Sequence, residues 1–399
     1  MSAATPTPVP SGPASASGEQ RPPRPARPTG PGLDGVLVVA KPAGPTSHDI
    51  VALVRRLAAT KRVGHGGTLD PFATGVLPVF LGRATRLVEF HLGDRKGYRA
   101  TVCFGASSTT DDLDGELTPI DGPSPDRDAV TAALSALRGP ISQVPPAFSA
   151  IKVDGRRAYA LARSGEPPTL ASRDVTIHRL DLVDWDGSDP DRPIAVLEVE
   201  CSAGTYVRAL ARDLGLALGS AAYLGALTRT ASGAFELEAA HPLETIRQAA
   251  ASGPAGLETL LLPIEAGLDR LPRVRLDRWE VEAVARGQFV RPAGGVPGSI
   301  PAGDPIIAED ETGRVVAVVR IHGTRLAPDK VLVDPPPAAP RVTPPGPATP
   351  DEPSADANEP AAEADERVAD GIGEEESVLA SEQDPPTSLD PDPASPDEP

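Results

Sequence analysis

GHGGTLDPFATGVLP, residues Gly64 to Pro78, holds a single carboxylate, Asp70, in a loop with little conformational freedom. Glycines let a partner's backbone approach closely, and prolines fix φ. An isolated Asp-Pro is ordinarily a turn former whose side chain bonds its own backbone. Here Gly64, Gly66, Gly67, Pro71, Gly75 and Pro78 crowd one stretch. That pattern points to an acid presented to whatever docks there, with His65 a few residues upstream.

The flanking segments give the loop a scaffold. Upstream, Gly35–Ala40 reads as a buried strand, and Lys41 to Pro45 (KPAGP) as a turn. Thr46 and Asp49 fit a capping box, followed by Ile50, Leu53, Val54 and Leu57 at helical spacing. Downstream, Tyr98, Ala100, Val102 and Phe104 alternate with polar or smaller residues, as do Ala195, Leu197, Val199 and Cys201. Gly204 then leads into a helix carrying Tyr206, Val207, Leu210, Leu214 and Leu218 on one side. Strands and helices are mixed without regular βαβ alternation, which predicts an α+β fold. Near residue 272 the character changes. Asp277 can cap a short helix to about Arg286, Ile306–Ala308 and Val315–Ile321 form a hairpin signal, and Val331–Val333 reads as a last strand.

The formal charge of -18 over 399 residues argues at first against a nucleic-acid partner. The charge is uneven. Residues 341–399 carry -15, residues 1–33 carry +2, and residues 34–100, around Asp70, carry +5. The stretch holding the acid is basic inside an acidic chain. Both tails, 1–33 and 334–399, are rich in Pro and Ala and read as disordered. Two cysteines, Cys103 and Cys201, make neither a disulfide framework nor a four-ligand zinc site. No apolar run has the length of a membrane span, and no signal-peptide core is evident. A cytoplasmic protein is expected.

Together, the Asp70 loop, Lys41-Pro42, Tyr98 and the GTYVR segment ending at Arg208 resemble the TruB-type tRNA pseudouridine synthases. The resemblance covers roughly residues 33–333. It implies a pseudouridine synthase fold, a mixed and largely antiparallel sheet flanked by helices over 34–271. It also implies a small β-rich, PUA-like RNA-binding domain over 272–333. Asp70 would be the catalytic aspartate, Arg208 its cationic partner, and Tyr98 the ring stacked on the extruded uracil. Burial pushes a carboxylate toward its neutral form, so a cation beside Asp70 is needed to keep it charged. His65 would fill the place of the flipped nucleotide. Asp112, in Thr109–Gly115 (TTDDLDG), matches a family acid near the site, and a calcium loop there lacks the required Gly and terminal Glu. Leu224 would contact substrate, and Lys41 and Pro42 would support the loop. By the same resemblance Lys152, Arg156 and Arg157 would belong to a thumb over 139–168 that clasps the tRNA T-arm.

This chain departs from the family pattern at Gly66, at Ser107–Thr110, and in Tyr223–Arg229, where RNA contact falls to Arg229 alone. The expected reaction is conversion of the T-loop uridine at tRNA position 55 to pseudouridine by base flipping, with no cofactor or metal, by a monomer. Two alternatives stay open: a guide-RNA-dependent synthase of the same superfamily, and a non-catalytic tRNA-binding or folding protein.

Overall fold

In the computed structural model the described residues are 32–120, 124–149, 151–153, 155–164, 168–296, 298 and 300–335. The expected tails therefore lie almost wholly outside them. Strand β1 (Gly35–Lys41) runs through the Lys41-Pro42 turn into helix α1 (Ser47–Leu57). Thr46 and Asp49 form a reciprocal capping box, and Ile50, Val51 and Val54 turn inward. The Asp70 loop joins β2 (Val63–His65) to β3 (Thr74–Leu81). Helix α2 (Glu89–Leu92) precedes β4 (Lys96–Phe104), and β5 (Ala106–Ser108) pairs with β6 (Leu117–Pro119) around the Asp112 turn.

Helix α3 (Arg127–Leu134) leads to β7 (Gly139–Gln143). A short hairpin follows, β8 (Lys152–Val153) with β9 (Arg156–Arg157), then α4 (Ala158–Arg163). Strands β10 (Arg173–Asp186) and β11 (Ile194–Cys201), helix α5 (Val207–Ala217) and β12 (Ala222–Ser232) complete the central architecture. Short strands β13 (Phe235–Glu236) and β14 (His241–Pro242) precede α6 (Leu243–Ala251) and α7 (Pro254–Glu258).

The main sheet runs β14-β1-β3-β12-β4-β11-β10-β7, with β2 added on β3 and β13 on β12. Only β1–β14 and β3–β12 are parallel, so the sheet is mixed and largely antiparallel, as expected. Along β4 and β11 the alternating residues pack with Leu210 and Leu214 of α5 in one core. The parallel contact of β3 with β12 brings the end of the Asp70 loop against Thr228 and Arg229. Gly75 makes this possible: its φ is +107°, and a Cβ there would stand 2.2 Å from the Arg229 carbonyl oxygen.

The C-terminal region forms a second sheet, β15 (Arg273–Arg275), β16 (Pro305–Glu309), β17 (Val315–His322) and β18 (Arg325–Val331), in that order. Helix α8 (Arg278–Ala285) starts at a capping box of Asp277 with Glu280. Leu87 and Leu268 of the main body pack with Ile307, Val315, Val318 and Leu332, so the small sheet is fastened to the segments that flank the large one. Its last strand is Arg325–Val331 rather than Val331–Val333. The strand contains Pro328, which a central position would reject, but β18 is an edge strand. Residues 139–143, expected at the start of the thumb, are edge strand β7 of the main sheet, paired with β10.

Candidate active site

Asp70 borders a cavity of about 750 Å³ that is also lined by Phe72, Tyr98, Asp112, Phe148, Arg208 and Leu227. Arg208 is 4 % exposed and grips Asp70 through two atoms. Its Nη2 donates to Oδ1 at 3.3 Å, and its Nε lies 3.0 Å from Oδ2 as an ion pair set off the hydrogen-bonding angle. The same guanidinium reaches Asp112 Oδ2 at 3.2 Å and donates to the Thr110 and Phe148 carbonyls, both at 3.0 Å. One buried cation therefore ties the Asp70 loop, the Asp112 turn and the segment at Phe148 to α5.

Arg212, one helical turn further along α5, pairs with Asp111 at 2.8 Å. Asp111 takes a left-handed conformation, φ 59°, so the turn that aims Asp112 inward is strained and held by a second ion pair.

Burial pushes the Asp70 carboxyl up from its ordinary value, Arg208 pulls it down, and the Asp112 charge pushes it up again. About a third of the Asp70 side chain still opens into the cavity, so the group is enclosed by protein yet reachable.

Beneath the loop are two more buried cations. Lys41 Nζ donates to the carbonyls of Pro42, Pro71 and Ala73 at 2.9, 3.0 and 2.6 Å. Burial lowers its pKa to about 8. Pro42 is exposed at the turn and contributes its carbonyl. Arg229 is 1 % exposed and donates to the carbonyls of Val76, Gly67 and Thr68 at 2.7, 3.2 and 3.4 Å, and it hydrogen-bonds Tyr98. Its expected RNA contact is thus corrected. Arg229 is a strut under the Asp70 loop, its guanidinium taken up by loop carbonyls at the cavity wall.

Leu224 also needs correction as a substrate contact. It is fully buried in the main core, and its backbone N–H donates to Asp111 while its carbonyl accepts from Leu113. The residue that lines the cavity is Leu227, which the sequence reading passed over. Tyr98 lies on β4 facing the cavity, and burial raises its pKa.

His65 sits outside that lining, at the end of β2. Its Nδ1 accepts from the Gly67 N–H at 3.3 Å, and its ring meets exposed His48 edge-on at 5.4 Å. Burial lowers its pKa, and His48 and Arg229 lower it further, all favouring the neutral ring. Arg156 is exposed on the β8–β9 hairpin. Lys152 and Arg157 are register partners there, and their side chains lie outside the described part.

Among the described residues no three His, Cys, Asp or Glu side chains gather as a metal site, and no helix is long and apolar enough to cross a membrane.

A mixed sheet bearing a cavity, with Asp70 in its lining and an arginine clamped to that acid, is the arrangement of a pseudouridine synthase. Solved structures agree in fold. A Cbf5-Nop10-Gar1 complex matches with a TM-score of 0.58 at 26% identity, covering 76% of this chain and 86% of that one. An H/ACA RNP bound to a substrate RNA containing 2'-deoxyuridine matches at 0.56 and 25%, covering 75% of this chain and 86% of that one.

The chain belongs to the TruB family of pseudouridine synthases. The family's N-terminal domain model (TruB family pseudouridylate synthase) matches residues 55–207, and the tRNA pseudouridylate synthase B C-terminal domain model matches 208–269. Curated relatives named tRNA pseudouridine synthase B include that of Gloeobacter violaceus, 45% identical over 75% of this chain and 99% of the relative. That of Mycobacteroides abscessus is 44% identical over 73% of this chain and 97% of the relative. The boundary between the two models falls inside α5, beside Arg208, so the second model begins within the main sheet's own core rather than at the small C-terminal sheet.

Proposed function

We propose that this enzyme isomerises the T-loop uridine at position 55 of tRNA to pseudouridine, acting alone on the RNA. The observation that carries the reading is the two-point contact of Arg208 with Asp70 on the floor of a cavity that also holds Tyr98.

The reaction breaks the N1–C1′ bond, turns the base, joins C5 to C1′, and moves a proton from C5 to N1. Nothing is oxidised or reduced. One ionised carboxylate is the group this exchange requires, and Arg208 favours that form of Asp70. An extruded uracil fits a floor made of Tyr98, Phe72 and Leu227, where an aromatic face accepts a base of any context. The base must leave its stack to reach Asp70, and His65 lies on the loop's outer side where it can take the vacated place.

Residues 144–164 carry the thumb-like role, with the Phe148 carbonyl held by Arg208. RNA closing this segment would thus bear directly on the catalytic pair. Identities of 41–45% to relatives named tRNA pseudouridine synthase B, against 25–26% to the H/ACA chains, support the stand-alone form over the guide-dependent one.

The test is pseudouridine formation on an unmodified tRNA transcript by wild type and Asp70→Asn side by side. Product at position 55 from the wild type alone is expected. Product from Asp70→Asn would overturn Asp70's role, and none from the wild type would overturn stand-alone action.

A further inference from the structure

Among the described residues, four cationic side chains line the cavity: Lys96, Arg173, Arg208 and Arg229. Three of them are engaged. Arg208 holds two carboxylates and two carbonyls, and Arg229 holds three carbonyls and Tyr98. Arg173 lies 4.4 Å over the Tyr206 ring and donates to the Gly204 carbonyl.

Lys96 differs. It is 6 % exposed, and its ammonium donates once, at 3.3 Å, to the His91 carbonyl. Among the described residues it forms no ion pair. The carboxylate near it, Asp94, is occupied by Arg270 at 3.1 Å and His91 at 3.3 Å. An ammonium has three donors, so two have no protein acceptor. A buried charge left this way is costly unless something completes it.

Placement says what completes it. Lys96 and Tyr98 are two apart on β4 and so share a face, the one that meets the cavity. A Cβ on Gly67 would lie 3.8 Å from Lys96 Cε, so the end of the lysine runs beside the Asp70 loop. A substrate group entering the cavity would supply the missing acceptor. A compact point charge with rotatable donors suits a phosphate better than the planar edge of a base.

We infer that Lys96 is a substrate-binding residue that holds a backbone phosphate next to the uridine presented to Asp70. The inference rests on the function proposed above. It adds a cationic contact inside the catalytic cavity itself, separate from the hairpin and thumb that grip the RNA outside it.

The test uses the full chain and a T-arm RNA hairpin, with wild type, Lys96→Met and Lys96→Arg. Affinity is measured across a range of salt. Lys96→Met should weaken binding about tenfold, since a hydrogen bond to a charged group is lost. It should also reduce the slope of log Kd against log salt by roughly 0.7 to 0.9, the signature of one phosphate contact. Lys96→Arg should restore the slope. Replacing each phosphate flanking the target uridine by a methylphosphonate should weaken wild-type binding at one of the two positions, and that loss should vanish in Lys96→Met.

An unchanged slope in a folded Lys96→Met overturns the inference. So does wild-type binding that is indifferent to both methylphosphonates, a measurement that needs no variant. Failure of the wild type to bind or modify the hairpin would instead overturn the proposed function.

Discussion

The Gln143 carboxamide pairs with the backbone of Tyr206 in both directions: its Nε2 donates to the Tyr206 carbonyl at 3.1 Å, and its Oε1 accepts the Tyr206 N–H at 2.8 Å. Gln143 is fully buried at the end of edge strand β7, and Tyr206 is the N-cap of α5, two residues before Arg208. The amide thus anchors the residue at which this helix starts, where the Tyr206 side chain makes no cap hydrogen bond. Gln143→Leu should leave the Tyr206 N–H unpaired, since the Tyr206 carbonyl still accepts from the Leu210 N–H, and destabilise the protein by about 1–3 kcal/mol. As a positioning residue it should lower kcat more than it raises KM, and Gln143→Glu should recover only part of the loss. A KM effect alone would place Gln143 in substrate contact instead.

Asp70 and Asp112 share Arg208, and this sets the sign of two pH effects. Burial and Asp112 raise the Asp70 carboxyl, and Arg208 lowers it. Activity that needs ionised Asp70 is lost as pH falls through that raised pKa. Asp112→Asn removes a negative charge and should move the acid limb of kcat/KM to lower pH. Arg208→Met removes the opposing cation and should move any residual activity to higher pH, with activity near zero at neutrality. It should also destabilise the fold by about 3–5 kcal/mol, because Asp112 stays buried without its cation, held only by the Thr110 hydroxyl and the Asp114 N–H. Acid limbs that move together in one direction would contradict this arrangement.

Lys41→Met removes three hydrogen bonds to loop carbonyls and should cost about 1–3 kcal/mol in thermal or denaturant unfolding. The pH dependence has a definite sign. With its folded pKa near 8 against an ordinary 10.5, the unfolded chain holds the proton more tightly over that interval. Wild-type stability therefore gains from this lysine as pH rises from about 8 toward 10.5. The advantage of wild type over Lys41→Met should widen across that window; a constant difference would mean that the ammonium is not desolvated.

Gly75→Ala should be among the most damaging small substitutions in the chain. The φ of +107° disfavours any side chain, and the new Cβ would collide with the Arg229 carbonyl at 2.2 Å. Strain and collision together should cost about 2–4 kcal/mol. Gly44→Ala, also at positive φ but in open space, is the control and should cost less. Equal losses in a melting experiment would mean that crowding between β3 and β12 is unimportant.

Much of this fold is legible in the sequence. Strands β4 and β11 follow their apolar alternation, and the caps at Thr46 and Asp277 lie where their side chains predict. Strand β12 misleads for a physical reason. Its pairing with β4 shifts register between Leu224 and Ala226, and a Cβ on Gly225 would meet Cys103 Sγ at 2.6 Å. That bulge changes which residues face inward, from Ala222 and Leu224 to Leu227 and Arg229. Counting by twos from Leu224 reaches the wrong side chains, and a bulge has no composition of its own. The roles of Gln143 and Lys96 were equally hidden, since each depends on what a distant segment leaves unpaired.

The clamp made by Arg208 also bears on how the enzyme fails. Its contacts come from residues 70, 110, 112 and 148, segments far apart in sequence that meet only when β3, β4, β7 and α5 are all in place. Local opening of any one would silence turnover while leaving most amide protons protected from exchange. Catalysis in this fold is therefore a stricter gauge of native structure than spectroscopy. On heating, turnover should fade before the helical signal does, and on cooling it should be the last property to return.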